Sequence, residues 1–342
     1  MQNFDDIFAQ AVEAKASDIH FAVGAPPILR INGPLHPMDH LSPITQEDIS
    51  NFLEKNLSIS KKEEFAQNKE LDFSYVLPVT GIRLRVNAFW EKGNLSLAAR
   101  IIWPHIPTLE EIGMPPIIYE LLKLKQGLII ITGAAGTGKS TTLAAIVDYL
   151  NENIDSHIIT MEDPIEFVFQ SKKSIIAQRE LGQDTLSFSS ALKHVVRQDP
   201  NIIMVGEMRD LETISTVLTL AETGHLILAT LHTPSASQTI SRIIDVFPSN
   251  QQSQIKLQLS LALKGIFCQQ LLPSKQGGRI AAREVLTNTP AISNLIRENQ
   301  IQQIPSTIQT GATYGMCTME QSIQKLYKAG LIDEEIYQNY KI

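Results

Sequence analysis

The segment GAAGTGKS at residues 133–140 constrains the fold of this chain more than any other stretch of its sequence. It follows the apolar run GLIIIT at 127–132 and precedes STTLAAIVDYLNE, a segment typical of a helix. A strand, a glycine-rich turn and a helix in this order predict a phosphate-binding loop (P-loop), whose backbone N–H groups and helix N-terminus surround an anion. We therefore predict a nucleotide-binding domain of the α/β class.

The residue types of the loop match the chemistry of a bound nucleotide. Glycines allow the backbone to approach the phosphates closely, Lys139 brings a positive charge to the β- and γ-phosphates, and the Ser140 hydroxyl can ligate Mg²⁺. The predicted nucleotide-binding residues of the loop are Gly133, Ala134, Ala135, Gly136, Thr137, Gly138, Lys139, Ser140 and Thr141.

Short apolar runs alternate with helical stretches through the region that contains the loop. Runs that are apolar throughout are typical of strands buried on both faces, and their alternation with helices predicts a largely parallel sheet. From about residue 285 onward we expect mostly helix. The predicted strands of this sheet are LIIIT at 128–132, HIITM at 157–161, NIIMVG at 201–206 and LILATL at 226–231.

The first hundred residues predict a small α+β unit instead. Helices are expected at 3–16, from apolar residues at helical spacing, and at 44–57, where Thr45 and Asp48 form a capping signal. In IRLRVNAFW the alternation predicts a half-buried antiparallel strand with Arg83 and Arg85 on one face. The other expected strands are SDIHFAV at 17–23, ILRING at 28–33 with an Asn-Gly turn, LDFSYVL and LSLAARII.

A proline-rich stretch separates the two patterns. Proline blocks both helix and interior strand, so this stretch is expected to be an interdomain linker. The expected division is a domain at 1–102, a linker at 103–116 and a domain at 117–342. The prolines are Pro104, Pro107, Pro115 and Pro116.

Acidic residues follow two of the predicted strands. Glu207 comes just after the run at 201–206, and Glu162, Asp163 and Glu166 follow the run at 157–161. Carboxyl ends of neighbouring parallel strands share one edge of a sheet. Nucleotide hydrolysis needs one carboxylate for Mg²⁺ and another to orient the attacking water, and these positions suit both tasks.

Two histidines, His225 and His232, flank the run at 226–231. Their odd spacing places them on opposite faces of a strand, which disfavours a joint metal site. Either a histidine lies beside the γ-phosphate, or both simply terminate the strand.

Charge and cysteine content narrow the function classes. The net charge is −7, and both residues 1–116 and residues 117–342 are net acidic, which argues against binding to nucleic acid or anionic lipid. Cys268 and Cys317 are far apart and form no zinc motif. No apolar run approaches the ~20 residues of a spanning helix, and a signal peptide is not indicated, so a cytosolic protein is expected.

Four segments resemble the Walker A, acidic-box, Walker B and histidine-box motifs of secretion ATPases, in the same order and at similar spacing. They are GAAGTGKSTT, TMEDPIEF, DPNIIMVGEMRD and AETGHLILATLHT. The chain resembles the type IV pilus retraction ATPase (PilT) family of the type II/IV secretion ATPase superfamily over essentially its whole length.

The resemblance implies a RecA-like P-loop ATPase core with an N-terminal PAS-like α+β domain. It implies a homohexamer that hydrolyses ATP with Mg²⁺ to drive pilus retraction or disassembly. It also implies a cytoplasmic location, docked peripherally to an inner-membrane platform protein and the pilin machinery, without nucleic acid or zinc.

Site roles are implied by motif position. Glu166 corresponds to the catalytic glutamate, with Glu162 next in line, while Glu207 and Ser140 correspond to the Mg²⁺-binding pair. His225 and His232 correspond to the histidine-box pair. Three arginines of the N-terminal domain are expected to neutralise phosphate charge: Arg83, Arg85 and Arg100.

The chain departs from the family pattern at Ser293, in AISNLIRE, where retraction ATPases typically carry arginine. An assembly ATPase or a type II secretion ATPase is the alternative, although those enzymes usually contain a tetracysteine zinc module. A RecA-like DNA translocase is a third alternative, which the acidic charge disfavours.

Overall fold

The computed structural model describes residues 3–31, 33–103 and 105–339. The chain divides into two compact units, residues 1–105 and 106–342. Asn32 of the expected Asn-Gly turn and Pro104 of the expected linker lie outside the described residues.

The first unit is an antiparallel sheet with helices packed on one face. The strand order is β3-β2-β1-β6-β5-β4. Its elements are α1 (Phe4–Glu13), β1 (Asp18–Ala22), β2 (Ile28–Arg30), β3 (Leu35–Pro37), α2 (Gln46–Asn56), α3 (Ile59–Asn68), β4 (Glu70–Val76), β5 (Arg83–Glu91) and β6 (Asn94–Ile102).

Local sequence signals account for the elements of this unit. The capping box predicted at Thr45 is confirmed, because its hydroxyl accepts from the backbone N–H of Asp48 at 3.2 Å while the Asp48 carboxylate accepts from the backbone N–H of Thr45. The predicted alternation in β5 is also confirmed, with Leu84 and Val86 buried and Arg83 half-buried on the other face. The result is the expected PAS-like α+β domain.

The second unit is built on a seven-stranded sheet of order β13-β12-β7-β11-β10-β8-β9, in which only β13 runs antiparallel to its neighbour. Its strands are β7 (Gly127–Thr132), β8 (His157–Glu162), β9 (Ile175–Glu180), β10 (Ile202–Val205), β11 (Leu226–Leu231), β12 (Leu263–Pro273) and β13 (Arg279–Thr287). Its helices are α4 (Ile117–Leu121), α5 (Lys139–Asn153), α6 (Phe188–Val195), α7 (Leu211–Glu222), α8 (Ala236–Asp245), α9 (Ser249–Ala262), α10 (Pro290–Arg297), α11 (Ile304–Thr310), α12 (Met319–Lys328) and α13 (Glu334–Asn339).

The four predicted strands are confirmed as β7, β8, β10 and β11, and every residue of β7, β10 and β11 is buried. Both faces of the sheet carry an apolar core, and α5 packs in the core on one of them. Burial on both faces explains why these strands are apolar throughout. The unit is a RecA-like α/β core.

Part of the proline-rich stretch is packed into the second unit. Leu109 and Met114 are buried in its core. The buried guanidinium of Arg283 donates from Nη1 to the carbonyl oxygens of Ile112 and Gly113, at 2.9 and 3.0 Å. Within the part of the chain that the structure describes, no helix has the length and apolar character required to cross a bilayer.

Candidate nucleotide-binding and catalytic site

The predicted P-loop connects the carboxyl end of β7 to the amino end of α5. Gly133, Gly136 and Gly138 all have positive φ, at 143°, 76° and 84°, which disfavours other residue types. A Cβ atom at Gly133 would lie 2.4 Å from the carbonyl oxygen of Gln269. The loop therefore needs glycine both for its conformation and for its close contact with β12.

The amino end of α5 is suited to an anion. Gly138 occupies the N-cap position, and among the described residues no side chain caps the helix and no acidic residue lies in its first turn. Backbone N–H groups of the first turn lack partners within the helix, and the helix dipole adds partial positive charge there.

Lys139 points back over the loop. Its Nζ donates to the carbonyl oxygens of Gly133 and Ala134, both at 2.9 Å, and lies 3.3 Å from His232 Nδ1. Desolvation lowers the pKa of this lysine, and the nearby charges of Glu207 and Glu166 oppose that shift. The ammonium group therefore lies against the backbone at the start of the P-loop.

His232 links Lys139 to Glu207. An ammonium group has no acceptor, so the contact with Lys139 requires His232 Nδ1 to accept. The ring proton then belongs on Nε2, which lies 3.2 Å from Glu207 Oε1 and can donate to it. A neutral His232 in this tautomer satisfies both contacts.

Arg209 contacts the other carboxylate oxygen of Glu207. This arginine was not among the site residues predicted from the sequence. Its Nε donates to Glu207 Oε2 at 2.7 Å, and its Nη1 lies 3.9 Å from Asp163 Oδ2. The hydrogen bond to Glu207 raises the pKa of this guanidinium. Arg209 lies only two positions after Glu207, but no spacing rule in the sequence indicates the contact.

The acidic segment that follows β8 reaches the P-loop through Glu166. The Ser140 hydroxyl donates to Glu166 Oε1 at 2.9 Å. The loop end therefore carries two sets of contacts, one from Ser140 to Glu166 and one from Lys139 through His232 to Glu207.

Glu162 is in a different environment from Glu166. It is 7% exposed, and its Oε1 accepts from Thr160 Oγ1 at 2.8 Å and from Gln178 Nε2 at 3.0 Å. Burial raises the pKa of this carboxyl group to about 7, although the two hydrogen bonds lower it. The Glu162 side chain also accepts a hydrogen bond from the backbone of Glu166, so its described contacts are with β8, β9 and the acidic segment.

His225 lies apart from this cluster, so of the two predicted histidines the structure places His232 beside Lys139 and Glu207. It precedes β11, whereas His232 follows it. The six residues of β11 rise about 3.3 Å each, so the two histidines lie at opposite edges of the sheet, roughly 20 Å apart. His225 Nδ1 lies 3.1 Å from the carbonyl oxygen of Leu220, and its own carbonyl accepts from Gly127.

Gln269 is a further residue of the loop that the sequence analysis missed. It lies on β12 and is 3% exposed. Its Nε2 donates to the carbonyl oxygen of Thr137 at 2.8 Å, and its Oε1 accepts from Thr142 Oγ1 at 3.0 Å. Both ends of one amide thus fasten the P-loop and the first turn of α5 to the neighbouring strand.

The three predicted arginines lie on the polar face of the first unit's sheet. Arg85 is directly opposite Arg100 in the β5–β6 pair. Arg100 Nε donates to Asp18 at 2.8 Å, Arg85 lies 3.7 Å from Asp72, and Arg83 donates to Ser74 at 2.8 Å.

The residues at the loop fit a nucleotide with Mg²⁺. The glycine backbone, Lys139 and the uncapped end of α5 suit phosphate oxygens. Hydroxyl and carboxylate oxygens are ligands that Mg²⁺ prefers, and this ion usually takes few protein ligands together with phosphate and water. Among the described residues, no cluster of three or more His, Cys, Asp or Glu side chains is arranged for a metal.

A P-loop between strand and helix, with carboxylates at the same edge of a RecA-like sheet, defines a P-loop ATPase. Residues 1–341 match the model of the family described as "Type II/IV secretion system protein". The chain belongs to this family.

Two curated relatives are similar over most of the chain. One, "Type IV pilus retractation ATPase PilT" of Pseudomonas aeruginosa, is 43% identical over 330 residues, which cover 96% of this chain and 95% of the relative. The other, "Twitching motility protein" of Neisseria gonorrhoeae, is 46% identical over 310 residues, which cover 90% and 82% respectively.

Solved structures agree with this grouping. A crystal structure of the pilus retraction motor PilT with bound ADP has a TM-score of 0.92 and 45% identity, covering 99% of this chain and 97% of that one. The ATPase DotB of Legionella pneumophila has a TM-score of 0.82 and 27% identity, covering 98% and 94%.

Proposed function

We propose that this chain is a motor subunit that hydrolyses Mg²⁺-ATP at the P-loop to drive retraction of a type IV pilus. The observation that carries the proposal is near full-length identity of 43–46% with proteins named for pilus retraction and twitching. The contact of Ser140 with Glu166, and the link from Lys139 through His232 to Glu207, support it.

In this proposal the P-loop residues Gly133 to Thr141 surround the phosphates, and Lys139 exchanges its loop carbonyl partners for phosphate oxygens. Ser140 and Glu207 would hold Mg²⁺, which when bound would neutralise phosphate charge. Glu166 orients the attacking water by accepting a hydrogen bond from it. As the water oxygen bonds to the γ-phosphorus, the released proton passes through this carboxylate to solvent. The bond from the γ-phosphorus to the β–γ bridging oxygen then breaks, and ADP and phosphate are released.

The remaining site residues have supporting roles in the proposal. His232 orients Glu207 and responds to the γ-phosphate through Lys139. Arg83, Arg85 and Arg100 are proposed to supply positive charge to the phosphates, as arginine fingers do. Their contacts with Ser74, Asp72 and Asp18 are partners that each arginine would exchange for the nucleotide.

We further propose a homohexamer in the cytoplasm, docked to an inner-membrane platform protein. The domain division 1–102, 103–116 and 117–342 is part of this proposal, with residues 103–116 as the hinge. Because Leu109 and Met114 are packed in the second unit, the first residues of this stretch are the better candidates for the moving part.

Ser293 is the residue that bears on the alternative of an assembly or secretion ATPase. Its Oγ lies 2.9 Å from the carbonyl oxygen of Ser260 and 3.0 Å from Asn288 Oδ1, two acceptors that share its one proton. The side chain thus joins α10 to the end of α9, where the family's arginine would carry a charge.

Deletion of the gene followed by complementation tests this function. We expect excess surface pili and loss of twitching after deletion. Wild type and the control Lys123→Ala, in which an exposed lysine loses its ion pair with Glu120, restore motility, whereas Lys139→Ala does not. Absent pili after deletion would instead identify an assembly ATPase, and unchanged pili with a secretion defect would identify a secretion ATPase.

A further inference from the structure

The segment that carries Glu166 has no strand or helix of its own. It begins where β8 ends at Glu162 and runs as irregular backbone to residue 174, just before β9. Irregular backbone at a catalytic position needs partners for its N–H and C=O groups from elsewhere in the chain. Side chains of the edge strand β9 supply partners for backbone groups on both sides of Glu166.

Glu180 holds the segment immediately before Glu166. Its Oε2 accepts a hydrogen bond from the backbone N–H of Ile165 at 3.1 Å. Glu180 is 3% exposed, and Ile165 is also buried. A buried N–H that loses its acceptor is costly, so this contact strongly favours the observed backbone position.

Gln178 holds the segment immediately after Glu166. Its Nε2 donates to the carbonyl oxygen of Phe167 at 2.8 Å, and its Oε1 accepts from the backbone N–H of Phe169 at 2.8 Å. The same Nε2 donates to Glu162 Oε1 at 3.0 Å, so Gln178 also fixes the end of β8.

Gln178 and Glu180 lie on the same face of β9, because residues two apart in a strand share a face. They pair directly with Thr160 and Glu162 of β8. Three backbone groups, one before Glu166 and two after it, are therefore held by two side chains of one rigid strand.

We propose that Gln178 and Glu180 are positioning residues for ATP hydrolysis. They fix the backbone on both sides of Glu166 and so hold its carboxylate against the P-loop at Ser140. This inference rests on the proposed role of Glu166 in orienting water. A displacement of about 1 Å at such a group can lower turnover by about a hundredfold, without any change in the residues that bind the phosphates.

Steady-state ATP hydrolysis and ADP binding by the purified full chain test the proposal. For Gln178→Ala and Glu180→Ala we expect kcat to fall about tenfold or more, while the Kd for ADP stays within about twofold. Glu180→Gln retains an acceptor oxygen for Ile165 and should keep kcat close to the parental value. Arg179→Ala is the matched control, since this residue lies on the same strand and faces the other way.

Parental kcat in Gln178→Ala would overturn the proposal. A rise in the Kd for ADP that parallels the fall in kcat would also overturn it, because that result indicates general damage to the site. Equal losses of kcat in Glu180→Gln and Glu180→Ala would also overturn it, since the acceptor oxygen for Ile165 would then have no effect on turnover.

Adding Gln178→Ala to Glu166→Ala separates this proposal from the one on which it rests. If Gln178 acts through Glu166, the double variant hydrolyses ATP no more slowly than Glu166→Ala alone. Parental turnover in Glu166→Ala would refute the proposed role of Glu166 itself. Loss of turnover in Glu166→Ala, together with parental turnover in Gln178→Ala, would refute the positioning role alone.

Discussion

Ser140 of the P-loop and Glu166 of the acidic segment are in direct contact, with the serine hydroxyl donating to the carboxylate at 2.9 Å. The segment reaches α5 because Asn151, a fully buried residue of that helix, holds its far end. Asn151 Nδ2 donates to the carbonyl oxygen of Gln170 at 2.8 Å, and its Oδ1 accepts from the backbone N–H of Lys172 at 2.9 Å. The helix α5 and the acidic segment are thus joined twice, at Ser140 in the first turn of the helix and at Asn151 in its last turns.

His232 is expected to contribute to turnover, whereas His225 is not. His232→Ala removes the ring nitrogen that accepts from Lys139 and the one that donates to Glu207, so we expect kcat to fall about tenfold. His225→Ala is the matched control at the other edge of the sheet and should hydrolyse ATP at the parental rate. Equal losses of kcat in the two variants would contradict this division.

Gln269→Ala is expected to weaken nucleotide binding. It removes both hydrogen bonds that fasten Thr137 and Thr142 to β12, which leaves the loop less ordered for a phosphate ligand. We expect the Kd for ADP, measured by calorimetry, to rise about tenfold. Gln270→Ala, on the next residue of the strand, serves as the control, and an unchanged Kd in Gln269→Ala would refute the fastening role.

The raised pKa of Glu162 predicts a pH-dependent stability. Its pKa is about 7 in the folded chain, against an ordinary value near 4.5, so the folded state holds a proton that the unfolded state releases. The stability contributed by this proton is fully present below about pH 4.5 and is lost as the pH rises through about 7.

Glu162→Gln has no proton to lose at this position. As the pH rises from about 5 to about 8, its free energy of unfolding should therefore increase relative to that of the parental chain, by an amount on the order of 3 kcal/mol. Urea denaturation at the two pH values measures the difference. The same pH dependence in both proteins would show that Glu162 is already ionised across this range.

The sequence predicted the parts of the fold that depend on local pattern. The P-loop between β7 and α5, the buried strands β8, β10 and β11, and the capping box at Thr45 are each encoded within a few adjacent residues. The strands β9 and β12 were not predicted. Much of β9 is polar, with the sequence IIAQRE, and β12 continues directly from α9 without a turn residue.

The supporting residues of the site could not be predicted either, because the strands that carry them were not predicted. Gln178 and Glu180 lie on β9 and Gln269 lies on β12, so their contacts depend on which strands become neighbours. Gln269 meets Thr137 across 132 positions of sequence. Arg209 contacts Glu207 only two positions away, but no spacing rule distinguishes it from an exposed loop arginine.

The most direct test of the account is ATP turnover measured together with nucleotide affinity in Glu166→Ala. Lys139 and the P-loop backbone are unaltered in this variant, so ATP should bind with close to parental affinity. Loss of the group that orients the attacking water should lower kcat by about a hundredfold or more. Hydrolysis at the parental rate would contradict the assignment of Glu166 and make Glu162 the next candidate.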